Sequence, residues 1–204
     1  MIPLMIGVSS RAEEAEADAS PQDIARRVAG GDTRAFEALF RLLSERVFRY
    51  VRGMTGEEST AHDITQDTFV RLWSARTRLA DVENIEAYVF QTARRLVYNR
   101  TRDERVRCEN EALLRPDDLD AQPAAPDDEL DSDLLRDLLD SWIDELPERQ
   151  REALTLRRVE GMSHETIADV MGISKNTVNT HIMRAMDTLR DRLHEHRPDL
   201  THRS

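Results

Sequence analysis

A chain of 204 residues holds one medium domain or two small ones, and 34% charged with 39% hydrophobic residues is the balance of a small-cored, helix-rich protein. Seven glycines and seven prolines are few for a turn-rich β protein, no apolar run approaches the roughly 20 residues that cross a bilayer, and a single cysteine, Cys108, excludes an internal disulfide or a multi-cysteine zinc site. The formal charge of −11 argues against nucleic acid as a partner only until its placement is read: residues 108–147 carry −12, whereas 22–107 carry +3 and 148–204 carry +1.

Residues 1–21 are small and acidic and read as a disordered tail. "MIPLMIGVSS" has no basic region ahead of its apolar residues, so no secretory leader is expected and the chain is expected to be cytoplasmic. A short helix over 22–29 should stop at Gly30-Gly31, with Asp32 capping the next. There Phe36, Leu39, Phe40, Leu43, Val47, Val51 and Met54 recur at helical steps and draw one apolar stripe. A second long helix, about 58–76, carries Ala61, Ile64, Thr68, Phe69, Leu72 and Trp73 inward. Residues 77–84 read as a loop, and a third helix turns Tyr88, Val89, Thr92, Ala93, Leu96 and Val97 inward.

The pattern fails from about 108 to 131, where "CENEALLRPDDLDAQPAAPDDELD" is acidic and holds three prolines; it reads as a linker. Periodicity resumes with Leu134, Leu135, Leu138, Leu139, Trp142, Ile143 and Leu146. Pro147 stands at a helix start and Gly161 just past its end. Ser163 can cap a short helix to Met171, Gly172-Ile173-Ser174 makes a turn, and Ser174 can cap a last helix with Val178, Ile182, Ala185, Leu189 and Leu193 inward. The expected fold is all-α: a 22–107 domain, a flexible acidic linker 108–133, a 134–194 domain containing a helix-turn-helix, and a polar tail 195–204.

Two surfaces carry chemistry. In "GMSHETIADVMGISKNTVNTHIMRAM", 161–186, the inward positions leave Lys175, Asn176, Asn179, Thr180, His181 and Arg184 outward on the first turns of the last helix, where a recognition helix meets the major groove. Asn pairs with adenine N6 and N7, and Lys and Arg suit guanine or phosphate; Ser163 and Thr177 can donate to phosphates beside helix N-termini. The third helix ends in "ARRLVYNRTRDERVR", 93–107, with six arginines against two acids and Tyr88 and Tyr98 nearby, a surface that fits melted or single-stranded DNA. The helix "AHDITQDTFVRLW" presents Asp63, Gln66 and Asp67 outside its apolar stripe, a patch for a partner's basic helix.

Other clusters are weaker. His194, His196 and His202 lie in a polar tail without cysteine support, and Asp117, Asp118, Asp127 and Asp128 lack a loop framework for a cation. No phosphate-cradling glycine loop or nucleophile motif is present, so neither catalysis nor a metal or other cofactor is expected.

Taken in order, "GDTRAFEALFRLLSERVFRYVRGMTG", "AHDITQDTFVRLW", "YVFQTARRLVYNRTRDER" and "LPERQREALTLRRVEGMSHETIADVMGISKNTVNTHIMRAMDTLRDRL" resemble the two conserved domains of extracytoplasmic-function sigma factors of bacterial RNA polymerase, over about 22–107 and 134–193. The resemblance implies a factor without enzymatic activity that recruits core polymerase to promoters and helps open them. Asp63, Gln66 and Asp67 would dock on the clamp helices of the largest subunit, and the core's flap would be a second contact. Loop 77–84 with Tyr88 would hold a flipped base, and Arg94, Arg95, Tyr98, Asn99, Arg100 and Arg102 would belong to the minus-ten and melting surface. Ser163 and Lys175 to Arg184 would enter the minus-thirty-five groove. An anti-sigma factor is an implied partner, and direct membrane insertion is not. The chain departs from the family where Ala61-His62-Asp63 stands for Ala-Glu-Asp, and where Arg95 replaces an asparagine that commonly lines the base pocket.

Two other readings stay open on the residues alone. A helix-turn-helix regulator would bind duplex DNA without polymerase, and a sigma mimic would bind an anti-sigma factor and never touch DNA. The docking patch argues against the first and the retained arginines against the second.

Overall fold

The computed structural model describes residues 20–112, 132–158 and 160–196, and every regular element among them is helical. They form two compact units, one built on residues up to Arg52 with Glu57–Leu96, the other on Gly53–Gly56 and the chain from Val97 onward.

In the first unit α1, Pro21–Ala29, begins at Ser20, whose hydroxyl accepts from the Asp23 amide, and packs on a short 3-10 helix, Arg76–Asp81. Asp32 Oδ1 then accepts the amides of Arg34 and Ala35 (3.0 and 3.1 Å) and starts α2, Thr33–Thr55. These bonds, the Ala35 amide foremost and then Arg27, hold the Asp32 carboxyl below its ordinary value by favouring the charged form. Helix α3 spans Glu58–Ser74 and α4 runs unbroken over Ile85–Ala112, past Cys108.

The predicted stripes are largely the core. Leu39, Leu43, Val47 and Val51 of α2 are buried, as are Ala61, Ile64, Phe69 and Leu72 of α3 and Val89, Ala93 and Leu96 of α4; in the second unit Met54 and Val97 are buried too. Three expectations change. The stretch expected as a loop at 77–84 opens with the 3-10 helix, because Leu79 folds inward and is fully buried. Phe90, unassigned by the periodicity, is completely buried edge-on against Tyr50 with centroids 5.6 Å apart. Phe40, expected inward, stays 42% exposed.

In the second unit α5, Ser132–Asp144, and α6, Glu148–Arg158, precede the helix-turn-helix of α7, His164–Met171, and α8, Lys175–His196. Ser163 caps α7 through the Thr166 amide and Ser174 caps α8 through the Thr177 amide, each at 3.1 Å. Between them Gly172 adopts φ 66°, a left-handed conformation that a side chain resists, and returns its amide to the end of α7. Trp142, Leu146, Leu154, Ala185 and Leu189 form one buried cluster, flanked by Leu138, Leu139, Ile143 and Leu193; Val178 and Ile167 are buried at the turn. This packing fixes which side of α8 faces outward.

Candidate nucleic-acid interface

With Val178, Ala185 and Leu189 inward, α8 exposes Lys175, Asn176, Thr177, Asn179, Thr180 and Arg184. Asn176 and Thr180 lie one turn apart on the side opposite Val178, and Asn179 flanks them. The Thr180 hydroxyl donates to the Asn176 carbonyl at 2.9 Å, which leaves its methyl and oxygen lone pairs outward. Ser163 and Thr177 sit at the two helix N-termini, paired with Thr166 and Ser174 at 3.0 and 2.8 Å. Two sets of oriented amide groups there suit phosphate.

Two predicted residues stand apart from this free surface. His181 is half-buried, and its Nδ1 is enclosed without a hydrogen-bond partner in the structure. Lys175 is outward but donates to Glu165 Oε1 at the start of α7. That hydrogen bond first, and the Lys175 charge second, hold the Glu165 carboxyl below its ordinary value. Met183, to which the sequence pattern gives no role, is 55% exposed on the same side of α8.

On α4, Tyr88, Arg95, Asn99 and Arg102 follow at steps of seven, four and three and share one face. Tyr88 is half-buried and the other three are exposed. Arg100 is exposed on a different side, and Arg94 is half-buried. Tyr98 is half-buried too; its hydroxyl donates to Oε2 of the fully buried Glu152 at 2.9 Å, within the second unit. The four-residue face is therefore a tighter set than the six arginines read along the chain.

Asp63, Gln66 and Asp67 are all exposed on α3. Beside them lies a groove of about 840 Å³ between α2 and α3, floored by Phe36, Phe40, Phe48, Phe69 and Trp73, with Gln66 and Val70 on its lip. Phe40 meets Phe69 at 4.7 Å and Phe36 meets Trp73 at 5.0 Å, while Phe48 stacks on the His62 imidazole at 4.5 Å. An apolar groove with exposed acids on the same helix suits an amphipathic, basic helix. The polar part of this surface was legible in the sequence, and the groove was not. The one signal was Val70, an apolar residue beyond what the stripe of α3 needs; Phe40 lies on the stripe of α2 and is exposed all the same.

Among the described residues no three His, Cys, Asp or Glu side chains gather as metal ligands, and no helix is long and apolar enough to cross a membrane. His196 packs edge-on against Trp142 at 5.0 Å; His202 and the aspartates at 117, 118, 127 and 128 lie outside the described residues, as do 1–19 of the predicted tail.

Two stretches of the chain match known families. Residues 39–107 match the Sigma-70 region 2 family and residues 136–189 the Sigma-70, region 4 family. The chain is 34% identical over 179 residues to the ECF RNA polymerase sigma factor SigE of Mycolicibacterium smegmatis, covering 82% of this chain and 66% of that one. It is 30% identical to the ECF RNA polymerase sigma factor BldN of Streptomyces coelicolor, covering 82% of this chain and 63% of that one. These two relatives are thus longer, the chain spanning somewhat less than two thirds of each. The RNA polymerase sigma factor CarQ of Myxococcus xanthus, 31% identical, is spanned over 95% of its length, with 83% of this chain covered. Two solved structures share the fold. The sigma factor RpoE of Bartonella quintana, in complex with the anti-sigma factor NepR, has a TM-score of 0.60 at 23% identity, covering 76% of this chain and 94% of that one. CnrH, in complex with the cytosolic domain of CnrY, has a TM-score of 0.61 at 24% identity, covering 84% and 96%.

Proposed function

The chain belongs to the extracytoplasmic-function sigma factors of bacterial RNA polymerase, and on that premise we propose that it binds core polymerase in the cytoplasm, directs it to a small set of promoters and assists their melting. One observation carries this reading: the same chain holds an apolar groove on region 2, with Asp63 and Asp67 exposed on one of its two helices, and an outward polar face on the helix-turn-helix of region 4. A duplex-binding regulator needs only the second surface.

Each surface has a role. Asp63, Gln66 and Asp67, with the α2–α3 groove, take a basic amphipathic helix of the largest polymerase subunit. The face formed by Tyr88, Arg95, Asn99 and Arg102 receives the unpaired minus-ten strand, where stacking and phosphate contacts offset unpairing. Asn176, Asn179, Thr180 and Arg184 read the duplex minus-thirty-five element, with Ser163 and Thr177 at phosphates. The residues supply positioning and charge, and the bond-making chemistry belongs to the core enzyme. An anti-sigma factor is the expected partner, as NepR is of the sigma factor RpoE of Bartonella quintana.

The test is co-elution of the purified chain with core polymerase, followed by transcription from genomic fragments. Core binding with start sites that share two spaced motifs supports the reading. Binding to duplex DNA with core ignored overturns it in favour of a regulator. Failure to bind either points to a mimic.

A further inference from the structure

Met183 has no packing account. Among the described residues of the second unit, two large apolar side chains are exposed, Met183 at 55% and Met186 at 45%. Met186 borders an apolar groove with Leu139, Leu154, Ile182, Leu189 and Leu193, so the fold explains its position. Met183 is not part of that groove. It continues the line of Asn176 and Thr180 down α8 at steps of four and three, with Asn179 and Arg184 exposed on either side.

A thioether is a weak hydrogen-bond acceptor and cannot read a base edge as an amide or guanidinium does. The apolar feature that the major groove offers is the C5-methyl group of thymine. A long, unbranched methionine side chain adapts to such a group at little steric cost. Seven residues of helix separate Asn176 from Met183, about 10 Å of rise, which corresponds to about three base steps at 3.4 Å. With α8 lying along the groove and its Asn176–Thr180 face inward, Met183 comes to the neighbouring base pairs and leaves water.

We propose that Met183 is a specificity-determining residue whose side chain contacts the C5-methyl group of a thymine in the duplex element read by α8, about three base pairs from the pair that Asn176 addresses. The inference rests on the reading of α8 as the minus-thirty-five helix.

Replacing thymine by deoxyuridine removes the methyl and leaves every hydrogen-bonding group in place. Promoters that the wild-type holoenzyme transcribes would be substituted one thymine at a time across the upstream element, and holoenzyme affinity measured for each. One position should weaken binding about fourfold, the effect of withdrawing one buried methyl group. Met183→Ala should bind the thymine and uracil forms of that position equally, while Met183→Leu keeps a preference. Because the side chain is exposed, Met183→Ala should bind core as the wild type does. Indifference of the wild type to uracil at every position overturns the proposal, as does an unchanged uracil effect in Met183→Ala. If the wild-type holoenzyme does not distinguish the upstream element from scrambled duplex, the reading of α8 has failed as well, a result distinct from loss of the methyl effect alone.

Discussion

Lys175, the only lysine of the chain, donates its ammonium to Glu165 Oε1, tying the first residue of α8 to the first turn of α7. The pair lies exposed where both helices would approach a phosphate backbone. Glu165 therefore both occupies a cation and adds a negative charge at an anion-seeking surface.

Glu165→Gln should release Lys175 and strengthen duplex binding at low salt. The slope of log affinity against log salt should steepen by about 1, the share of one added phosphate contact. Titrations of wild-type and variant holoenzyme over a salt series check this, and equal slopes would show that Lys175 stays away from phosphate.

The same pair sets a pH dependence with a defined sign. Glu165 has a lowered value when folded, against an ordinary 4.5, so its small contribution to stability is complete above about pH 4.5 and fades as pH falls through the lowered value. Acid unfolding of the wild type and Glu165→Gln should differ by a constant amount above that pH and converge below it.

Docking and promoter reading should separate by mutation. Asp63→Ala with Asp67→Ala removes two exposed acids of α3 and should weaken core binding about tenfold, most strongly at low salt. Arg184→Ala should leave core binding unchanged and weaken selection of the upstream element about tenfold. Core co-elution and competitive promoter binding give the two readouts.

Phe90 is an anchor of the first unit. It is fully buried against Tyr50, and Arg46 lies over its ring at 5.7 Å while pairing with Glu86 at 2.5 Å. Phe90→Ala should cost about 3–5 kcal/mol, enough to populate unfolded first unit at growth temperature. Chemical denaturation monitored by circular dichroism measures the loss.

Gly172 tests backbone rather than packing. A methyl group there would meet nothing within 4 Å, but φ is 66°. Gly172→Ala should cost about 1 kcal/mol through the left-handed conformation alone, and Gly172→Asn less. Equal stability of all three would mean that the turn relaxes.

How much could be read beforehand follows from the range of each interaction. The caps Asp32, Ser163 and Ser174 and the turn at Gly172 involve neighbours two to four residues away, so residue type and spacing determined them. The apolar stripes determined most of the buried faces for the same reason, and with them the outward placement of Asn176, Asn179, Thr180 and Arg184. Only the tertiary structure decided the rest. Phe90 is buried because α2 brings Tyr50 to it, and Leu79 folds inward and winds its loop into a 3-10 helix. Phe40 and Val70 remain at a groove because α2 and α3 leave it open, and Lys175 is engaged because the turn places Glu165 within its reach. Periodicity states which side of a helix is apolar. It does not state how much of that side a neighbouring helix covers, because coverage depends on where the two helices come to lie against each other.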